Sequence, residues 1–226
     1  MGGDVRRMVV ALVAGAVLAG SMALPQASAS AAGGPRLREA IAALPVIGED
    51  RLGYQRTAFR HWIDADRDRC STRSEVLLQE AIDAPTVGPG CALTEGRWYS
   101  LYDDTYVTDA SGLDIDHVVS LSESWDSGAS QWTAAQREAY ANDLDEPRAL
   151  VAVTARSNRS KGDQDVAEWL PPYAAARCEY LVDWVTVKVR WHLAVDDLER
   201  DALVRGASAC PDVPIATTPA DTPVPT

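Results

Sequence analysis

Three short runs hold residues whose types and spacing could do chemistry. They are Asp114-Ile115-Asp116-His117, Asn142-Asp143-Leu144, and Asn158-Arg159-Ser160-Lys161-Gly162-Asp163. An imidazole titrates near neutral pH and can take a proton from water. Asp116 and Asn158 offer an anionic and a neutral oxygen, the donor types that a hard divalent cation prefers. An isolated Asp-His pair is more often structural than catalytic. Weight comes from the pair being followed, in order, by N-D-L, an apolar strand and N-R-S-K-G-D.

The elements around these runs must position them. Leu113 and Ile115 alternate ahead of Val118 and Val119, which predicts a short strand over 113–119 with Asp114 and Asp116 on its other face. The run ALVAV predicts a second strand at 149–153. A helix follows from near Asn158 or Asp163 to Trp169, ended by Pro171-Pro172. Thr133-x-x-Gln136 reads as a capping box that opens a helix through about Ala141. Further helices are expected at 35–44, over 75–82, at 175–193 and at about 195–206, with a β-prone stretch at 97–107 turning at Asp103-Asp104. Neighbouring side chains on a strand point to opposite faces. Asp116 and His117 therefore share one site only where the strand ends or bends, or where a cation and a base flank one group from two sides.

The runs DIDHVVSLSESWDSGA and AYANDLDEPRALVAVTARSNRSKGDQDVAEWLPP closely resemble the HNH endonuclease family in its bacterial secreted branch, with a GmrSD-type C-terminal HNH domain. The resemblance is specific over about 113–172 and looser from about 54 to 192. It implies an α+β fold in which a small ββα-metal core, the His-Me finger, is embedded in helices. It also implies roles. His117 activates water. Asp116 and Asn158 hold one divalent ion, Mg²⁺ or alternatively Mn²⁺, against the scissile phosphate. Asn142 orients the loop carrying the histidine, and Lys161, with Arg159, contacts phosphate. Arg73 lies in CSTRSE, a patch that also resembles the family, and is a further candidate phosphate residue. The implied activity is metal-dependent hydrolysis of DNA, with RNA as a second substrate, leaving a 5′-phosphate and a 3′-hydroxyl. Ser120 stands where the family pattern has Pro. Two rival readings are a non-catalytic secreted binding module that kept the fold, and a phosphodiesterase acting on something other than nucleic acid. The intact Asp116, His117, Asn142 and Asn158 speak against decay.

Composition sets limits on this reading. A net charge of −12 and a pI near 4.6 count against a chain that sits on nucleic acid by bulk electrostatics. Arg6 and Arg7, an apolar run from Met8 to Leu24 and Ala27-Ser28-Ala29 predict a signal peptide over 1–29, an extracellular product and no membrane anchor in it. Cys70, Cys91, Cys178 and Cys210 form no C-x-x-C pair, so two disulfides are expected rather than a zinc site. Among the three connectivities, Cys70–Cys91 and Cys178–Cys210 each close a moderate loop within one region. Such loops are worth roughly 3 kcal/mol each in the chain-entropy model. One domain over about 35–210, a disordered Pro/Thr-rich tail at 211–226 and a monomer complete the expectation. Asp64, Asp66, Asp68 and Glu75 occupy positions 1, 3, 5 and 12 of an EF-hand-like loop, a lesser Ca²⁺ candidate because Arg69 replaces the required Gly. His61 and His192, each beside a Trp, read as packing or surface residues.

Overall fold

The computed structural model describes residues 34–225, so the expected leader over 1–29 lies outside the described residues. Chain order runs through α1 (Leu37–Ala43), α2 (Thr72–Gln79), β1 (Thr86–Gly88), β2 (Ala92–Thr94), β3 (Trp98–Ser100), β4 (Thr105–Val107) and β5 (Leu113–His117). It continues with α3 (Leu121–Asp126), α4 (Ala134–Ala141), β6 (Leu150–Thr154), α5 (Ala155–Lys161), α6 (Arg177–Arg190) and α7 (Asp197–Ser208). Among the described residues the strands form three two-stranded antiparallel sheets, β1 with β2, β3 with β4 and β5 with β6. The fold is α+β. Among the described residues, no helix is long and apolar enough to cross a membrane.

Helix α6 is the hub of the core. Its stripe of Leu181, Trp184, Val185 and Val187 is buried, and α1 and α7 pack against it. Tyr102, Tyr180 and Trp169 form an aromatic cluster that reaches β5 through Tyr102 Oη on Asp116, with edge-on contacts of 5.3–5.6 Å between ring centres. Cys70–Cys91 ties the start of α2 to the β1–β2 hairpin, and Cys178–Cys210 ties α6 to the chain just past α7. The capping box at Thr133 and Gln136 is present.

The helix after β6 begins earlier than expected. Thr154 ends the strand and accepts from Ser157 N, so α5 starts at Ala155. Gly162, in the left-handed region at φ +59°, ends it after Lys161. The segment from Asp163 to Trp169 is not a helix in the fold. The β1–β2 hairpin was not anticipated from the sequence.

The expected disordered tail is instead laid along the domain. Leu37 N donates to Val213 O and Ile215 N to Pro35 O, and Ile215 is buried. Further along, Arg190 Nη1 donates to Thr218 O, Ala220 N to Arg190 O, and Thr222 Oγ1 to Trp191 O. A Pro/Thr-rich composition excludes regular structure, but an extended strap whose backbone bonds to the domain suits it.

Candidate active site

Strand β5 ends at His117, and its antiparallel register with β6 pairs His117 with Leu150 and Asp116 with Val151. Alternation sends Asp114 and Asp116 to one face and His117 to the other. At the strand end the two faces meet a common cavity of about 380 Å³, whose lining includes Asp116, His117, Asn158, Arg56, Arg159 and Ser120. The expected trio of Asp116, His117 and Asn158 is thus brought together around one space.

His117 is held by packing. Its ring stacks on Trp62 at 5.3 Å and faces Tyr140 at 6.4 Å. Trp62 itself has φ +59°, a strained conformation for a bulky residue, at the point where it meets the imidazole. His117 Nε2 lies 3.0 Å from the carbonyl oxygen of Ala141. A carbonyl only accepts, so Nε2 carries the hydrogen and Nδ1 keeps its lone pair. Burial lowers the imidazole pKa to about 3, the Ala141 carbonyl opposing and Arg56, His61 and Lys161 assisting. The ring is therefore neutral at ordinary pH. A bound anion in the cavity would favour the imidazolium and move this value back up.

Asn142 is the C-cap of α4, directly after Ala141. Its Oδ1 accepts from Thr72 Oγ1 at 2.7 Å and from Ile63 N at 3.2 Å, and its Nδ2 donates to Arg60 O and Glu138 O. It clamps the loop bearing Trp62 to the helix end bearing the Ala141 carbonyl, the two contacts that orient His117. Asn142 has no place in the cavity lining, so it acts on the histidine through its neighbours.

Lys161 departs from its expected role. It is fully buried, and its Nζ donates to Asp116 Oδ1 at 2.8 Å and to the carbonyl oxygen of His117 at 2.9 Å. Asp116 Oδ2 accepts from Tyr102 Oη at 2.7 Å. Burial raises the Asp116 carboxyl, with Lys161 opposing. Arg73 also lies elsewhere: its Nη2 donates to the carbonyls of Ala110 and Leu113 and fastens the start of β5. The cations that do line the cavity are the exposed Arg56 and Arg159. Arg56 was missed in sequence because nothing in GYQRT marks it, and the overall acidity hides a local basic rim.

The donor set accommodates a divalent ion held by few protein ligands. Asn158 Nδ2 leans on Asp114 Oδ2 at 3.3 Å, which leaves its Oδ1 free to accept. Asp116 reaches the same cavity, and each of its hydrogen-bonded oxygens retains a second lone pair. A largely hydrated Mg²⁺ suits so sparse a set. Ser120, in the family's Pro position, has φ −61° and caps α3 by accepting from Glu123 N. A cap thus supplies the fixed turn that a proline ring would give.

The loop carboxylates Asp64, Asp66 and Asp68 converge within 4.8 Å, and Asp68 also approaches Glu75. Backbone amides of Asp68, Arg69 and Cys70 donate to them, which accounts for their convergence without an ion. Cys70 is in a disulfide. His61 packs edge-on 6.4 Å from His117, its Nδ1 on Phe59 O.

These features define a class: an α+β chain with a neutral, stacked histidine and two oxygen donors at the end of an antiparallel strand pair whose second strand runs directly into a helix. Residues 72–205, more than half of the chain, match the family described as GmrSD restriction endonucleases, C-terminal domain. The chain belongs to that family. It is also 43% identical over 158 residues to a protein of Arthroderma benhamiae named "Uncharacterized secreted protein", covering 70% of this chain and 76% of the relative. That relative is fungal; these similarities show the family and not a bacterial branch of it. No solved structure matches.

Proposed function

We propose that this chain is a metal-dependent endonuclease of the HNH type, hydrolysing phosphodiester bonds of DNA and, as a second substrate, RNA. The observation that carries the reading is the neutral, stacked His117, its Nε2 engaged by the Ala141 carbonyl, lining one cavity with Asn158, Arg56 and Arg159. The family's description as restriction endonucleases supports the same class of substrate. In this reading β5, β6 and α5 are the ββα-metal unit.

His117 Nδ1 accepts the proton of the attacking water, and the Ala141 carbonyl stabilises the imidazolium through Nε2–H. Arg56 and Arg159 hold the phosphate oxygens. Asp116 and Asn158 would hold one Mg²⁺ or Mn²⁺. When bound, such an ion neutralises charge on the phosphate and the departing 3′-oxygen. Lys161 opposes the rise that burial imposes on the Asp116 carboxyl and holds the His117 backbone in place. The products carry a 5′-phosphate and a 3′-hydroxyl. The name of the fungal relative supports an extracellular site of action, and the chain is read as acting as a monomer.

Plasmid nicking by the purified protein tests this. Nicking is expected with Mg²⁺, is abolished by EDTA, and falls by at least about 10²-fold in His117→Ala with the fold intact by circular dichroism. Equal nicking by that variant removes the assignment. Cleavage of a chromogenic phosphodiester without cleavage of plasmid or RNA replaces the substrate.

A further inference from the structure

A second cavity, of about 250 Å³, adjoins the first, and Asp163 lines both. Its walls carry Glu49, Glu123, Asp165 and Asp196. Glu49, Glu123 and Asp126 each place one carboxylate oxygen within 4.8 Å of the others, and so do Glu49, Asp165 and Asp196. Glu49 belongs to both groups. Exposed acidic clusters need no explanation, but Glu123, Asp126 and Asp165 are only 2%, 3% and 5% exposed.

The hydrogen bonds fall on one oxygen of each carboxylate. Asp126 Oδ2 accepts from Arg51 Nε at 2.5 Å, whereas its Oδ1 is buried without any partner. Glu123 Oε1 accepts from Lys188 Nζ and Ser127 Oγ. Asp165 Oδ1 takes the amides of Ala167 and Glu168, and Asp196 Oδ1 those of Leu198 and Glu199. Among the described residues, no protein donor reaches the second oxygen of any of the four. An orphaned buried carboxylate oxygen is costly and calls for a partner. The two cations nearby are shared outward, Arg51 with Asp163 and Lys188 with Glu199.

We propose that Glu49, Glu123, Asp126, Asp165 and Asp196 form a binding site for a hard divalent cation, Ca²⁺ by preference, separate from the active site. The donors are all oxygens. They come from four separate segments: the loop after α1, the helix α3, the loop after α5 and the N-cap of α7. Ca²⁺ accepts six to eight oxygens in irregular arrangement, whereas Mg²⁺ demands a near-ideal octahedron. The bound ion cross-links these segments and fixes the loop from which Arg51 reaches Asp163, at the edge of the active-site cavity. The site stands independently of the nuclease reading.

Calorimetry and thermal melting of the chelator-stripped full chain, titrated with Ca²⁺ alone, test this. Uptake of Ca²⁺ with a rise in Tm is expected. Glu49 is exposed, so Glu49→Gln leaves the fold intact and is expected to weaken Ca²⁺ affinity at least about tenfold. Glu49→Lys places an ammonium in the cup; it is expected to abolish the response and to raise the Tm of the stripped protein. Asn158→Ala, and a triple variant Asp64→Asn, Asp66→Asn, Asp68→Asn, are expected to keep the response. The proposal is overturned by no uptake up to about 10 mM Ca²⁺, beyond the weakest range of extracellular calcium modules. It is equally overturned by unchanged uptake in both Glu49 variants, or by loss of uptake in the loop triple variant. Tighter uptake of Mg²⁺ than of Ca²⁺ overturns the choice of ion.

Discussion

The ammonium of Lys161 lies 2.8 Å from Asp116 Oδ1 and 2.9 Å from the carbonyl oxygen of His117, in a fully buried position. One lysine on the last turn of α5 therefore fixes both members of the Asp-His pair. Lys161→Ala leaves Asp116 buried with only Tyr102, and breaking such a pair costs about 3–5 kcal/mol. Urea denaturation is expected to show that loss, with KM unchanged under conditions where the variant is folded. A variant as stable as the parent but with raised KM returns Lys161 to the substrate.

Arg56 and Arg159 are expected to act on substrate where Arg73 acts on the fold. Each charged contact to phosphate is worth about 1.5–3 kcal/mol, roughly ten- to hundredfold in kcat/KM. Arg56→Ala and Arg159→Ala should lose activity in that range at unchanged stability. Arg73→Ala should do the reverse, because its bonds go to the Ala110 and Leu113 carbonyls. Steady-state cleavage and melting curves of the three variants separate the two behaviours.

The His117 imidazole, lowered to about 3 by burial, sits far below the ~6.5 of a free imidazole. Between those values the unfolded chain binds the proton and the folded chain does not. The stability this contributes is complete above about pH 6.5 and is lost as the pH falls through the folded value. The unfolding free energy of the parent minus that of His117→Ala should therefore decline with acid across this window. Taking the difference cancels Glu80 and Asp183, whose carboxyls burial pushes up to about 7 and whose contribution is lost as the pH rises. A flat difference rejects the buried neutral ring. Trp62→Ala opens the ring to solvent and should raise its titration midpoint in proton NMR.

Ile215 lies in the strap along the domain and is 1% exposed. Truncating a buried isoleucine to alanine costs about 2–5 kcal/mol. Ile215→Ala is expected to lower the urea midpoint accordingly. An unchanged midpoint restores a disordered tail.

The strand ending in Asp116-His117, the capping box of α4, the second strand and both disulfide pairings were legible in the sequence, since each rests on local alternation, capping chemistry or loop size. What stayed hidden was long-range. Nothing near position 161 announces that its side chain runs inward to Asp116, and a lysine beside Asn158 reads naturally as a phosphate contact. The same holds for Arg73, whose acceptors lie about forty residues away in sequence. Arg56 comes from a segment with no motif. The tail misled because low apolar content argues against a core of its own but not against lying on someone else's. Helix α5 was misplaced because Thr154 serves as both strand end and helix cap, and the sequence shows only a β-branched residue continuing a strand.

Both covalent bridges, Cys70–Cys91 and Cys178–Cys210, lie outside the strand pair and helix that carry His117 and Asn158. Opening them in a thiol-rich cytosol removes on the order of 6 kcal/mol from a fold whose whole margin is typically about 5–15 kcal/mol. A copy with both bridges open is thus left with little of that margin, whereas closing them restores it.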